Sequence, residues 1–141
     1  MLKNMKITVI GAGNVGATAA NILAEKEVGS IVVLLDVIKG LAEGKALDIN
    51  QMSSLALFDT RTIGVTDDYE ATANSSVIVI TSGLARKPGM AREDLLITNA
   101  RIVKHVTENV IKFSPNAIII MVSNPLDAMS YVAYKVAGIP P

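Results

Sequence analysis

Short runs of β-branched and other aliphatic residues alternate along this chain with longer segments of helical period, and that alternation leaves few folds open. Residues 6–10, 31–35, 61–65, 77–81 and 117–122 read as strands. Between the first two, residues 14–26 place Val15, Ile22 and Leu23 at helical spacing on one face. Leu95, Ile102, Val103, Val106 and Val110 mark a longer helix. Residues 41–54 and 68–74 carry weaker helical patterns, and 127–136 forms a fair one, opened by Asn124 as cap with Pro125 in the first turn. Strands that alternate with helices imply right-handed crossovers and a parallel sheet covered on both faces. The expected fold is therefore α/β, a doubly wound parallel sheet of about five strands in the order 3-2-1-4-5. No internal repeat or linker divides the 141 residues, so one domain is expected.

Composition supports this and removes several functions. Half of the residues are hydrophobic, only 4% are aromatic and Trp is absent. Aliphatic packing must dominate, as in a Val/Ile-rich parallel sheet. Lys and Arg number 13 and so do Asp and Glu, giving no net charge. Nucleic acid and anionic membrane surfaces demand a basic excess and are not expected as partners. The apolar runs are far shorter than the roughly 20 residues that span a bilayer. The absence of Cys excludes disulfides, thiolate metal sites and cysteine nucleophiles. No leader-like segment opens the chain, and a cytoplasmic protein without a metal is the expectation.

Gly11-Ala12-Gly13-Asn14-Val15-Gly16 follows the first strand and opens the first helix. A lone G-x-G-x-x-G is a weak signal, because strand-to-helix turns often need glycine for steric reasons alone. In this context each glycine has a task. The first permits the tight turn, the second lets backbone approach a pyrophosphate, and the third lets helix pack closely on strand. The helix N-terminus then offers unpaired N–H groups and a favourable dipole to phosphates. Asp36 closes the second strand roughly 20 residues later, where an acid would accept hydrogen bonds from an adenosine ribose and repel a 2′-phosphate. A Rossmann-type site for NAD rather than NADP is the reading. A solvated Asp at a loop start and a site for S-adenosylmethionine remain open alternatives on these residues alone.

After the fourth strand comes Thr81-Ser82-Gly83-Leu84-Ala85-Arg86-Lys87-Pro88-Gly89-Met90-Ala91-Arg92. The C-terminal ends of parallel strands are where open α/β sheets bind ligands. Arg86 and Arg92 each offer a planar fork that pairs with a carboxylate through two hydrogen bonds. An anion-gripping loop and a merely exposed, soluble loop fit this spacing equally well.

The Gly11–Gly16 loop with Asp36, the segment from Gly83 to Arg92, Asn99, and Val122-Ser123-Asn124-Pro125 together resemble the malate dehydrogenases of the lactate-dehydrogenase-like branch. The likeness covers essentially the whole chain, and Arg86-Lys87-Pro88-Gly89-Met90 with Arg92 is its most specific part. Lactate dehydrogenases usually carry Gln at the position of Arg86, so the resemblance favours a dicarboxylate, malate or oxaloacetate. It implies that Arg86 binds the distal carboxylate, that Arg92 polarises the C2 carbonyl, and that Asn124 hydrogen-bonds the substrate oxygen. It further implies cofactor contacts from Gly11, Ala12, Gly13, Asn14, Val15, Gly16, Asp36, Asn99, Val122, Ser123 and Asn124, and a cis Asn124–Pro125 bond. A homo-oligomer is implied as well, since the helix around residues 41–55 resembles one that pairs subunits in this family. Asn124 retains its plainer reading as a helix cap.

The family's proton-accepting His, the Asp that orients it and a further Arg have no counterpart here. His105 matches no catalytic motif and reads as a surface or boundary histidine. Gly138-Ile139-Pro140-Pro141 looks like a helix stop followed by a connection, so the chain reads as a domain cut before its catalytic part, with an exposed sheet edge at residues 117–122. Nucleotide binding without turnover is expected of it. A lactate dehydrogenase domain and a non-catalytic nucleotide-binding or assembly module stand as alternatives.

Overall fold

Two-residue alternation along the central strands sends successive side chains to opposite faces, and each face has found a helical cover. The computed structural model describes residues 2–138. Its elements are β1 (Leu2–Ile10), α1 (Asn14–Glu25), β2 (Gly29–Asp36), α2 (Leu41–Ala56), β3 (Arg61–Thr66), a 3-10 turn (Tyr69–Thr72), β4 (Val77–Ile80), α3 (Arg92–Phe113), β5 (Ile118–Met121) and α4 (Leu126–Ala137). All four strand pairings are parallel, and the spatial order is β3-β2-β1-β4-β5. This is the doubly wound arrangement expected from the alternation of strands and helices.

Val9, Val32 and Leu34 meet Ala20 and Ala24 of α1 and Ala42 and Ile49 of α2 on one face. Ile10, Leu35, Ile78 and Ile80 meet Val106 and Val110 of α3 and Tyr69 on the other. α4 packs beside α3, with Met129 and Ala133 against Val103. Among the described residues, no helix is long and apolar enough to cross a membrane.

Three local expectations need correction. The buried side of α1 is Gly16, Ala20 and Ala24; of the expected stripe Leu23 packs against the core, whereas Val15 and Ile22 are 60% and 50% exposed. Small residues every fourth position let the helix lie close to the sheet, so close approach outweighs side-chain size here. Residues 68–74 form only the 3-10 turn, capped by Asp68, whose carboxylate accepts the Glu70 N–H at 3.1 Å. At the start of α4 the capping position belongs to Pro125, whose carbonyl accepts the Met129 N–H at 2.9 Å, and the Asn124 side chain caps nothing.

The stop at Gly138 is as expected: it takes a left-handed φ of 61° and donates to the Tyr134 carbonyl. The connection read at Ile139, Pro140 and Pro141 lies outside the described residues.

The two sheet edges differ. Along β3, the Asn50 side chain donates to the Thr62 carbonyl at 2.7 Å and accepts the Thr62 N–H at 2.9 Å, standing in for a neighbouring strand. Along β5, Ile118 and Ile120 are 67% and 48% exposed.

α2 comes down onto β3 at Gly64, where an added Cβ would lie 2.2 Å from the Ala42 carbonyl oxygen. Backbone cannot yield as a side chain can. Gly64→Ala should therefore lower the unfolding free energy by about 1–3 kcal/mol in urea titration, whereas Gly44→Ala, with open space around it, should not lower it.

Candidate nucleotide-binding site

Strand register assembles the site. Ile10 of β1 stands level with Leu35 of β2 and Ile80 of β4, and Ile80 stands level with Met121 of β5. The residues just beyond this row are Gly11, Asp36, Thr81 and Val122, so all the motif loops leave the sheet along one C-terminal edge. Backbone bonds carry the register past the strand ends: Gly11 N–H to the Leu35 carbonyl and Thr81 N–H to the Ile10 carbonyl, both 2.8 Å, and Val122 N–H to the Ile80 carbonyl, 2.9 Å. The chain leaves β1 toward β2 on one side while β4 flanks it on the other. This reversal of strand order is the crevice where open α/β sheets take their ligands.

Within the glycine loop, the three glycines are constrained differently. Gly11 has a φ of +102°, a conformation that L side chains rarely adopt, and a Cβ on it would lie 2.7 Å from the Thr81 hydroxyl. A Cβ on Gly16 would overlap the Gly11 carbonyl oxygen, at 1.7 Å. Both are therefore demanded by the chain's own packing. Gly13 is not: a Cβ there would meet nothing within 4 Å. It is exposed, and it is the N-cap of α1, without a side-chain cap and without an acid in the first helical turn. α2, α3 and α4 all carry acids in that turn. The N–H groups of Asn14, Val15 and Gly16 thus begin a helix whose positive end no carboxylate of its own first turn neutralises. Backbone amides under open space are what a diphosphate requires, and the loop fits a dinucleotide.

Asp36 reaches back to this loop. Its carboxylate accepts the buried Ala12 N–H at 2.6 Å through one oxygen and the Ile38 N–H at 2.9 Å through the other. Each oxygen keeps further lone pairs for a ligand hydroxyl. Val37 and Ile38, 68% and 60% exposed, follow directly and give this end of the crevice an apolar surface. Sequence reasoning passed over both, and over Thr81, whose hydroxyl donates to the Ile10 carbonyl at 3.0 Å. Exposed apolar residues beside a charge were the available signal for the first two.

Beneath lies Tyr69, only 8% exposed. Its phenol is pushed from the usual 10.0 up to about 12 by burial first, then by the Asp67 and Asp36 carboxylates. His105 sets its ring edge-on to Tyr69 at 6.0 Å and approaches Asn109 at 3.4 Å, as a boundary histidine would.

Beyond β4, Lys87 to Met90 form a tight turn closed by the Met90 N–H to the Lys87 carbonyl at 3.1 Å. Pro88 and Gly89, the latter with a φ of +83°, are the residues a type II turn requires. Arg86 Nε donates to the Met90 carbonyl at 3.4 Å. Arg92 is exposed as the first residue of α3. Among the described residues the only ion pair is Lys104–Glu108, so both guanidinium groups are without a carboxylate partner.

Asn99 is buried, and its side chain bonds to backbone of Leu84 and Asn124. Ser123 is buried, donating to the Ser82 carbonyl at 2.5 Å. Asn124 and Val122 face solvent, and the Asn124–Pro125 bond is cis. Along the sheet edge hydrogen bonds join Asp36 to Ala12, Thr81 to Gly11, Ser123 to Ser82 and Asn99 to Asn124, while none joins Arg86 or Arg92 to these residues.

This fold and this edge define a dinucleotide-binding domain of the Rossmann type. Residues 5–141 match the model of the lactate/malate dehydrogenase NAD-binding domain, and the chain belongs to that family. It is 62% identical over 136 residues to the malate dehydrogenase of Cytophaga hutchinsonii, covering 96% of this chain and 44% of that protein. The malate dehydrogenase structure from Salinibacter ruber superposes with a TM-score of 0.89 at 49% identity, covering 96% of this chain and 42% of that one. That from Archaeoglobus fulgidus in complex with NADH does so at 0.91 and 36%, covering 96% and 46%. The chain therefore spans less than half the length of these relatives.

The raised phenol of Tyr69 makes a prediction about pH. Below pH 10 the folded and unfolded states both keep the proton, so this group gives stability no dependence on pH there. Above it the unfolded chain ionises first, and stability should fall as pH rises toward about 12. Urea unfolding from about pH 8 to about pH 11.5 should show this decline, and Tyr69→Phe should flatten it.

Proposed function

We propose that this chain holds NAD across the β1–β4 crevice as the cofactor half of a malate dehydrogenase, whose remaining machinery lies in a segment outside these residues. The reading is carried by the open space over Gly13 at an uncapped helix N-terminus, with the Asp36 carboxylate bonded into the same loop. The diphosphate rests on the amides of residues 13–16, and Gly11, Ala12, Gly13, Asn14, Val15 and Gly16 form its cradle. Asp36 accepts the ribose hydroxyls and repels a 2′-phosphate, favouring NAD over NADP. Val37 and Ile38 give the adenine an apolar wall. Val122 and Ser123 line the nicotinamide end.

When bound, NAD supplies the hydride chemistry. The protein's part is orientation and charge. Arg86 pairs with the distal carboxylate of malate or oxaloacetate, Arg92 stabilises the negative charge that grows on the C2 oxygen, and Asn124 hydrogen-bonds that oxygen. Without a proton acceptor beside them, these residues bind but do not turn over, since general base catalysis is typically worth about 10²–10⁴-fold. A reaction of malate and oxaloacetate belongs with the tricarboxylic acid cycle, and the absence of Cys fits the cytoplasm. Exposed Leu47, Leu55 and Leu57 on and after α2 favour a homo-oligomer.

Fluorescence titration with NADH tests the cofactor half. Gly13→Ala should unfold at the same urea concentration as the unaltered chain, because its methyl meets no protein atom, yet bind NADH at least about ten-fold more weakly because the methyl meets the ligand. Asp36→Ala should weaken NADH binding and narrow the preference over NADPH. Full-strength NADH binding by Gly13→Ala would overturn the cradle. For the substrate, Arg86→Gln in a chain completed to the length of its relatives should cut kcat/KM for oxaloacetate by about 10²-fold or more, with pyruvate spared.

A further inference from the structure

A second acidic residue stands beside Asp36. In the β2–β3 ladder Asp36 is level with Thr66. The next residue, Asp67, carries the ladder one step further, its N–H donating to the Asp36 carbonyl at 2.9 Å. The Thr66 hydroxyl accepts the Gly40 N–H at 3.2 Å and donates to the Glu43 carboxylate at 2.6 Å. The loop after β2 is thereby tied to the end of β3 on this side as well. Asp67 is exposed and holds a φ of 48°, a left-handed conformation that Asp and Asn tolerate. Burial first, then Asp67 and then Asp36, raise the phenol of Tyr69, so both carboxylates act on one hydroxyl beneath the crevice. Asp68 is otherwise engaged, accepting the Glu70 N–H. Lys39, in the loop after β2, is exposed, and among the described residues no cation pairs with Asp67.

We propose that Asp67 is a specificity-determining residue of the nucleotide site, a second negative charge that disfavours a 2′-phosphate on the adenosine ribose. The proposal rests on the reading of Asp36 as the acid that accepts the ribose hydroxyls. Asp36 refuses the phosphate by contact, whereas Asp67 acts through space and needs no bond to the ligand. A phosphate monoester carries about 1.5 to 2 negative charges at neutral pH. Each further carboxylate within a Debye length, about 10 Å at 0.1 M salt, adds to the cost of placing it. Neighbouring strands lie about 4.8 Å apart, which keeps Asp67 inside that range of a group that Asp36 touches. A ribose hydroxyl carries no charge and is indifferent to it. The charge therefore separates two cofactors without having to hold either.

Asp67→Asn removes the charge and little else, since Asn keeps the shape, tolerates the same φ and leaves the backbone bond to Asp36 in place. Fluorescence titration of the 141-residue chain with NADH and with NADPH, at about 20 mM and about 0.5 M salt, reads the effect. At low salt the substitution should narrow the preference for NADH over NADPH by about three-fold or more, and at high salt most of that change should vanish. A preference that stays the same at low salt refutes the proposal. So does a narrowing as large at high salt as at low, which marks a change of shape instead of charge. Failure of the unaltered chain to bind NADH would remove the proposed function and this proposal with it, whereas NADH binding with no response to Asp67→Asn would remove this proposal alone.

Discussion

The approach of α1 to the end of β1 governs the geometry of this domain. Gly16 sits so close to the Gly11 carbonyl that no side-chain carbon fits between them, and the Thr81 hydroxyl closes the same gap from β4. The β1–α1 turn thereby meets a residue 70 positions away at one point. The turn from β1 to α1 has little freedom left, and the first amides of the helix face outward because the glycine turn leaves them there. Ala20 and Ala24 continue the close contact along the sheet. A larger side chain at any of these places would lift the helix and tilt its N-terminus away from the crevice.

Electrostatics follow from that placement. The exposed start of α1 bears no acid of its own, and the nearest negative charge defined by a bond is Asp36, which spends one lone pair on the Ala12 amide. The carboxylate thus both braces the loop and remains available to a hydroxyl. At the other end of the same edge, Arg86 and Arg92 meet no carboxylate among the described residues. The crevice thus sets a carboxylate beside a positive helix end, while the loop after β4 carries two guanidinium groups on its own.

Much of this is legible in the sequence. The strand and helix periods led to the sheet order, and Gly11, Gly13, Gly16 and Asp36 marked the loop because their spacing is dictated by a turn and a helix start. Other features were hidden for physical reasons. Val15 and Ile22 looked like the buried stripe of α1, but burial there depends on how near the helix can come, which favours alanine and glycine. Residues 68–74 had helical composition but room for only one 3-10 turn. Asn99 was singled out only by resemblance, and its partners Leu84 and Asn124, 15 and 25 positions away, left no local signal.

Local spacing alone determined which segments become strands, which become helices, and which loop carries the glycines, because these depend on backbone conformation and on periods of a few residues. Only the folded chain decided that Thr81 seals the glycine turn, that Asp36 bonds to Ala12, and that Asn99 joins two loops. Those outcomes depend on parallel register, which sets the ends of β1, β2, β4 and β5 along one edge, and register is a property of strands in contact.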